Sequence, residues 1–153
     1  MKIMLDKGAK MPTRAHPWDA GLDLYAPEDV WVPKAKAYVW GYDGSYSGDV
    51  CVGCEVVDTG VHVQIPHGYY GEVRSRSSLL FKHGITTDGT IDANYNGSIR
   101  VCLLNHSDRD YKVKAGDKIA QLVIVPCLLP DLELVDSLEE TDRGDGGFGS
   151  TGR

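Results

Sequence analysis

The chain has 153 residues, 42% of them hydrophobic and 25% charged, the make-up of one globular domain rather than of a disordered or membrane-spanning chain. Its formal net charge of -6 argues against a nucleic-acid polymer as partner, because phosphate-backbone binding draws on clustered Lys and Arg. The opening Met1-Lys2-Ile3-Met4-Leu5 turns polar at Asp6, too soon for a signal peptide or membrane span, so a cytoplasmic protein with no membrane contact is expected.

Taken in order, the first segment out of the ordinary is Gly41 to Asp49, too rich in Gly, Ser and Tyr for a core strand and read as a loop or hairpin arm. It leads into Cys51-Val52-Gly53-Cys54. No second pair of this kind follows, so the four cysteines are read as reduced thiols; zinc held with His62 or His67 is the less favoured alternative. Val61 to Ile65, Ser98 to Leu103 and Lys118 to Val123 alternate with the period of half-buried strands. Turn signals separate them at Pro66-His67-Gly68, Asn96-Gly97, Ala115-Gly116-Asp117 and Pro126, the spacing of an all-β barrel or sandwich. One short helix is expected over Ser78 to His83, with Ser77 as N-cap and Gly84 as its stop. Trp18, Trp31 and Trp40 most simply serve packing.

Three stretches carry possible chemistry, each with a plain structural alternative. Arg74-Ser75-Arg76-Ser77-Ser78 places arginine and free N–H groups where an anion is favoured, or else is a capped surface helix. Gly89-Thr90-Ile91-Asp92-Ala93-Asn94-Tyr95-Asn96-Gly97 reads as a hairpin. In it Asp92 is placed to take a proton from water and Tyr95 to pack on a sugar, or else they form an Asx turn and a core tyrosine. The end, Arg143-Gly144-Asp145-Gly146-Gly147-Phe148-Gly149-Ser150-Thr151-Gly152-Arg153, suits wrapping phosphates because backbone N–H groups approach closely where Cβ atoms are missing. The alternative is a disordered tail.

Order and spacing decide among these. Ala20-Gly21-Leu22-Asp23-Leu24-Tyr25-Ala26, Arg76-Ser77-Ser78-Leu79, Gly89 to Gly97, Gly116 to Leu122 and Arg143 to Gly152 resemble, in sequence, the five motifs of the trimeric dUTPases. The resemblance implies a distorted jelly-roll β-barrel over residues 1–142, with an insertion at about 40–55, and a glycine-rich lid over 143–153. It implies a homotrimer with exchanged C-terminal segments that hydrolyses dUTP to dUMP and pyrophosphate, keeping uracil out of DNA. Asp92 would be the base for the attacking water, and Tyr95 would lie under the deoxyribose and exclude a 2′-hydroxyl. Arg76, Ser77 and Ser78 would hold phosphate oxygens, joined by Gln121 of the same chain. Thr90, Ile91 and Arg100 would read uracil by position, Arg143 would grip the γ-phosphate, and Phe148 would stack on the base. Gly149, Ser150 and Thr151 would close over the phosphates, and Asp23 would touch Mg²⁺ through water.

Against the family pattern, Gly84 to Asp92 is a residue shorter than in many relatives, and Ser75-Arg76-Ser77-Ser78 stands for Pro-Arg-Ser-Gly. The related dCTP deaminases carry a glutamate where this chain has Cys102, which disfavours deamination. A regulatory protein using the dUTPase fold, with the insertion contacting a protein partner, is compatible with retained catalysis.

Overall fold

The computed structural model describes residues 1–35 and 52–146. The expected arm over Gly41 to Asp49, Cys51, Trp40 and the tail residues from Phe148 onward lie outside the described residues. The strands are β1 (Lys2–Leu5), β2 (Leu22–Tyr25), β3 (Val30–Val32), β4 (Gly53–Asp58), β5 (Val61–Gln64), β6 (Tyr69–Arg74), β7 (Ile85–Thr86), β8 (Asp88–Ile91), β9 (Arg100–Asn105), β10 (Tyr111–Val113) and β11 (Lys118–Pro126), with helix α1 (Ser77–His83) between β6 and β7. All pairings are antiparallel, in sheets ordered β2-β11-β6-β8 and β4-β9-β7 with smaller pairs β1-β5 and β3-β10. The expectation of an almost wholly β, jelly-roll-like fold holds.

Alternation explains why these segments bury what they do. On β9, Val101, Leu103 and Asn105 point inward while Arg100, Cys102 and Leu104 point out, and β4 buries Val57 while Cys54 and Val56 face outward. Leu24, Val73 and Leu122 of the larger sheet join Ile85, Val101 and Leu103 of the other in one core. β11 is the central strand. Its first half pairs with β2, with a bulge between Lys118 and Ala120, and from Gln121 onward it pairs with β6. The buried Asn105 side chain donates to Val32 O at 3.3 Å and Arg109 O at 2.8 Å and accepts from Ser107, so no amide group is stranded in the core.

Several expectations need correction. The strand expected from Ser98 begins at Arg100, and the one expected to end at Val123 continues to Pro126 because β6 offers partners that far. The helix begins at Ser77, not Ser78, and its N-cap is Arg76. Leu79 N and Leu80 N both donate to Arg76 O, and no side chain caps them. Gly84 does end it, at φ 66°, where a side chain would be strained. Residues 89–97 are not a hairpin: β8 pairs with β6 while β9 pairs with β4 and β7, so the turn carries the chain from one sheet to the other. The tight turn falls at Asp92 to Tyr95, with Tyr95 N donating to Asp92 O at 3.0 Å, rather than at Asn96-Gly97. Trp18 and Trp31 do not pack in the core. Trp18 is 96% exposed; on β3 Val32 points in, so Trp31 points out, with the Lys112 ammonium 5.9 Å from its ring centre.

Candidate active site

The inter-sheet turn builds one cavity. Thr90, Ile91 and Asp92 leave β8, Tyr95 follows in the turn, and Arg100, Cys102 and Val56 close the far wall from β9 and β4 around about 350 Å³. Five expected residues, Thr90, Ile91, Asp92, Tyr95 and Arg100, therefore stand together. The Tyr95 hydroxyl donates to Ser98 O at 3.0 Å, and its ring occupies the space a Cβ on Gly97 would need, so Gly97 is required by a close approach. Val56 and Cys102 were not among the expected site residues. Cys102 was readable as a wall residue, since it lies two positions from Arg100 on the same strand face.

Behind the turn, His62 on β5 fixes its far end. One ring nitrogen lies 2.9 Å from Asn96 O and the other 3.2 Å from Asp6 Oδ2 on the loop after β1. Both partners only accept, so the ring satisfies both as the imidazolium, and its pKa is accordingly raised, first by Asn96 O and then by Asp6. Beside it, the Ser98 hydroxyl and Gly60 N–H hold the Asp58 carboxyl below its usual range.

A second cluster forms where β2, β11 and α1 meet. The register sets Asp23 opposite Gln121, and Gln121 opposite Arg74, two residues before Arg76. Asp23 is 2% exposed, and its carboxylate accepts from Lys118 Nζ at 2.7 Å and Gln121 Nε2 at 3.2 Å, with Arg76 Nε at 3.4 Å. Three donors around one buried carboxylate offset its desolvation. Arg76 also donates to Lys118 O at 3.2 Å, so its guanidinium is held at two points and keeps N–H groups free. Gly21 allows the close approach of Gln121, whose Cβ and Cδ would both lie 3.1 Å from a side chain there. The adjoining cavity, about 230 Å³, is lined by Arg76, Ser78, Lys82, Tyr111, Asp117 and Lys118 among others, with more cationic than acidic groups in its wall. Burial and then Asp117 raise the Tyr111 pKa. Ser77 is exposed in the first helical turn. Arg143 lines neither cavity and donates to Gly146 O at 2.9 Å. Phe148, Gly149, Ser150 and Thr151 lie outside the described residues.

The two cavities share no residue, yet both are built from the stretches singled out by the motif order, and a dUTPase family model matches residues 7–152. The chain belongs to the dUTPase family. The deoxyuridine 5'-triphosphate nucleotidohydrolase of Syntrophotalea carbinolica is 44% identical, over 97% of this chain and 92% of that one. The Staphylococcus bacteriophage 80alpha dUTPase, solved with dUPNHPP, is 31% identical with a TM-score of 0.81, covering 99% of this chain and 98% of that one. A dUTPase from phage phi11 of S. aureus, solved with attention to a structural Mg(II) ion, is 29% identical with a TM-score of 0.73, over 91% of this chain and 98% of that one. No helix among the described residues is long and apolar enough to cross a membrane.

Proposed function

We propose that this dUTPase-family chain hydrolyses dUTP to dUMP and pyrophosphate at sites shared between copies in a homotrimer. The observation that carries the sharing is the β6–β8 ladder. Gly71 pairs with Ile91 and Arg74 with Asp88, so Asp92 follows the Gly71 end of the ladder and Arg76 lies two residues beyond its Arg74 end, six positions apart when the register is carried on. At about 3.4 Å per residue the two are some 20 Å apart. A base for water attack and a phosphate-holding arginine must both reach the same triphosphate, so Arg76 and Asp92 serving one nucleotide come from different chains. The segment after β11 supports assembly. Leu128, Leu129, Leu132, Leu134 and Leu138 are 80–100% exposed, an apolar row that a neighbouring copy would cover.

In this reading Asp92 takes the proton of the attacking water at the open mouth of the cavity, and Tyr95 lies under the deoxyribose. Thr90, Ile91 and Arg100 surround the base. Arg76, held by Asp23 and Lys118 O, directs its free N–H groups to phosphate oxygens without reorganising, with Ser77, Ser78 and Gln121 beside it. Arg143 and the stretch Phe148, Gly149, Ser150 and Thr151 would complete the site as a lid over 143–153, closing on the barrel of residues 1–142. Mg²⁺, when bound, would neutralise charge on the triphosphate and take most of its oxygens from phosphates and water. Asp23 fits an outer-sphere role only: it is buried, and its Oδ2 keeps one lone pair beside Lys118, whose side chain is 34% exposed and free to shift.

Mixed assembly tests both parts. Arg76→Ala and Asp92→Asn are each expected to be inactive alone, Asp92→Asn by roughly 10²–10⁴-fold through loss of the base. Refolded together at equal amounts they should regain about a quarter of wild-type dUTP turnover, because each site draws its two residues from separate chains. A mixture as dead as its parents would place both groups in one chain. Wild-type protein that turns over dCTP, dTTP or UTP as fast as dUTP would sink the substrate assignment.

A further inference from the structure

We infer that Cys54 and Cys102 form a reversible dithiol–disulfide site, joined through Cys102 to the wall of the cavity that holds Asp92 and Tyr95, so that oxidation impairs nucleotide binding; this last step rests on the function proposed above. The register between β4 and β9 pairs Cys54 with Leu104 and Val56 with Cys102. The two cysteines are therefore diagonal neighbours on one strand face, and both thiols point away from the core. Their sulfurs are 3.7 Å apart, in contact and unbonded. Cys54 is exposed, whereas Cys102 is half-buried and lines the cavity between Arg100 and Val56.

This asymmetry assigns an order of events. The Cys54 thiolate attacks one sulfur of a small disulfide RSSR, forming a mixed disulfide and releasing one RS⁻, which is protonated to RSH. The thiolate of Cys102 then attacks the Cys54 sulfur, forming the Cys54–Cys102 bond and releasing the second RSH. Two protein thiols lose two electrons and two protons, and RSSR gains them. Burial, and then the neighbouring Cys54, push the Cys102 thiol up, which suits it to the second, resolving step rather than the first. Diagonal strand neighbours stand about 7 Å apart, at the upper edge of what a disulfide spans, so the bond would draw β4 and β9 together and be readily reduced. Ease of reduction separates a switch from a structural staple. The same pull moves Val56 and Cys102, two residues of the cavity's far wall.

The full-length chain incubated with oxidised glutathione, quenched with N-ethylmaleimide and digested should yield peptides joined through Cys54 and Cys102. dUTP turnover should show about a tenfold lower kcat/KM, mostly through KM, restored by dithiothreitol. Cys54→Ser should keep basal turnover and lose the response, and a non-hydrolysable dUTP analogue should slow the linkage. A link between Cys51 and Cys54 instead, no link at all, or equal inhibition of Cys54→Ser would overturn the inference, as would a Cys54–Cys102 link that leaves dUTP kinetics unchanged. A link formed in a protein that never hydrolyses dUTP would instead overturn the hydrolase reading and leave the dithiol site standing.

Discussion

Replacing Gly97 by alanine is expected to unseat Tyr95 while leaving the barrel folded. A Cβ at this position would fall on the Tyr95 hydroxyl and its ring carbon and lie 2.9 Å from Cε2. The ring is rigid, so the whole side chain must swing away. Gly97 is not among the residues with positive φ, so the alanine backbone itself is unstrained and the cost comes only from the ring. The lost contact is the bond from the Tyr95 hydroxyl to Ser98 O, at a residue 38% exposed, worth about 0.5–1.5 kcal/mol. Thermal unfolding should therefore move by only about 2–4 °C. Discrimination should move more. A pocket that excludes one small group supplies about 1–3 kcal/mol, so the ratio of kcat/KM for dUTP over UTP should fall about tenfold or more. Steady-state kinetics with both nucleotides, beside calorimetry, measure the two effects separately. An unchanged ratio would refute the assignment of Tyr95 as the steric gate, and a loss of tens of degrees would show Gly97 to be a folding residue.

Other outcomes follow from the same geometry. Asp23→Asn removes the charge between Lys118 and Arg76 and should destabilise the fold by about 2–4 kcal/mol, read as a lower urea midpoint at unchanged m-value, since partly exposed partners soften the usual cost of a broken buried pair. His62 has a raised pKa in the folded chain, so its contribution is complete below its ordinary value of 6.5 and is lost as pH rises through the raised value. The difference in melting temperature between wild type and His62→Gln should accordingly shrink from pH 6 to pH 9, and a constant difference would show that charge plays no part. Truncation after Asp142 should leave melting temperature and sedimentation unchanged, because the core cluster ends before the tail begins, while kcat falls sharply; a large drop in melting temperature would make the tail a structural strap.

Much of this was legible in the chain. Strands β5, β9 and β11 follow from alternation, and the helix stop at Gly84 follows from the need for a left-handed residue there. The third motif identified Asp92 and Tyr95 as neighbours of one cavity because short-range order places them on a single turn. The partner of β8 was not legible. Neighbouring strands in sequence usually pair, yet β8 pairs with β6 rather than with β9. Asp23 could be picked out by its motif, yet its three donors come from β11 and from the residue before α1, and their convergence depends on a register that local sequence does not encode. Cys54 and Cys102 are 48 residues apart, and nothing local in either stretch says that their sulfurs touch.

If Arg76 and Asp92 of different copies serve one nucleotide, as proposed above, their placement beyond opposite ends of the β6–β8 ladder makes turnover depend on concentration. On that proposal a solitary copy would own every reactive group and have no reaction to perform, so specific activity should collapse on dilution below the point where copies dissociate. It also changes how damage is inherited. In the proposed trimer a chain defective at both positions would silence two sites rather than one, and the harm from a bad copy would outrun its share of the population. Selection on such a protein acts on the surfaces between copies as strongly as on the residues that meet the nucleotide.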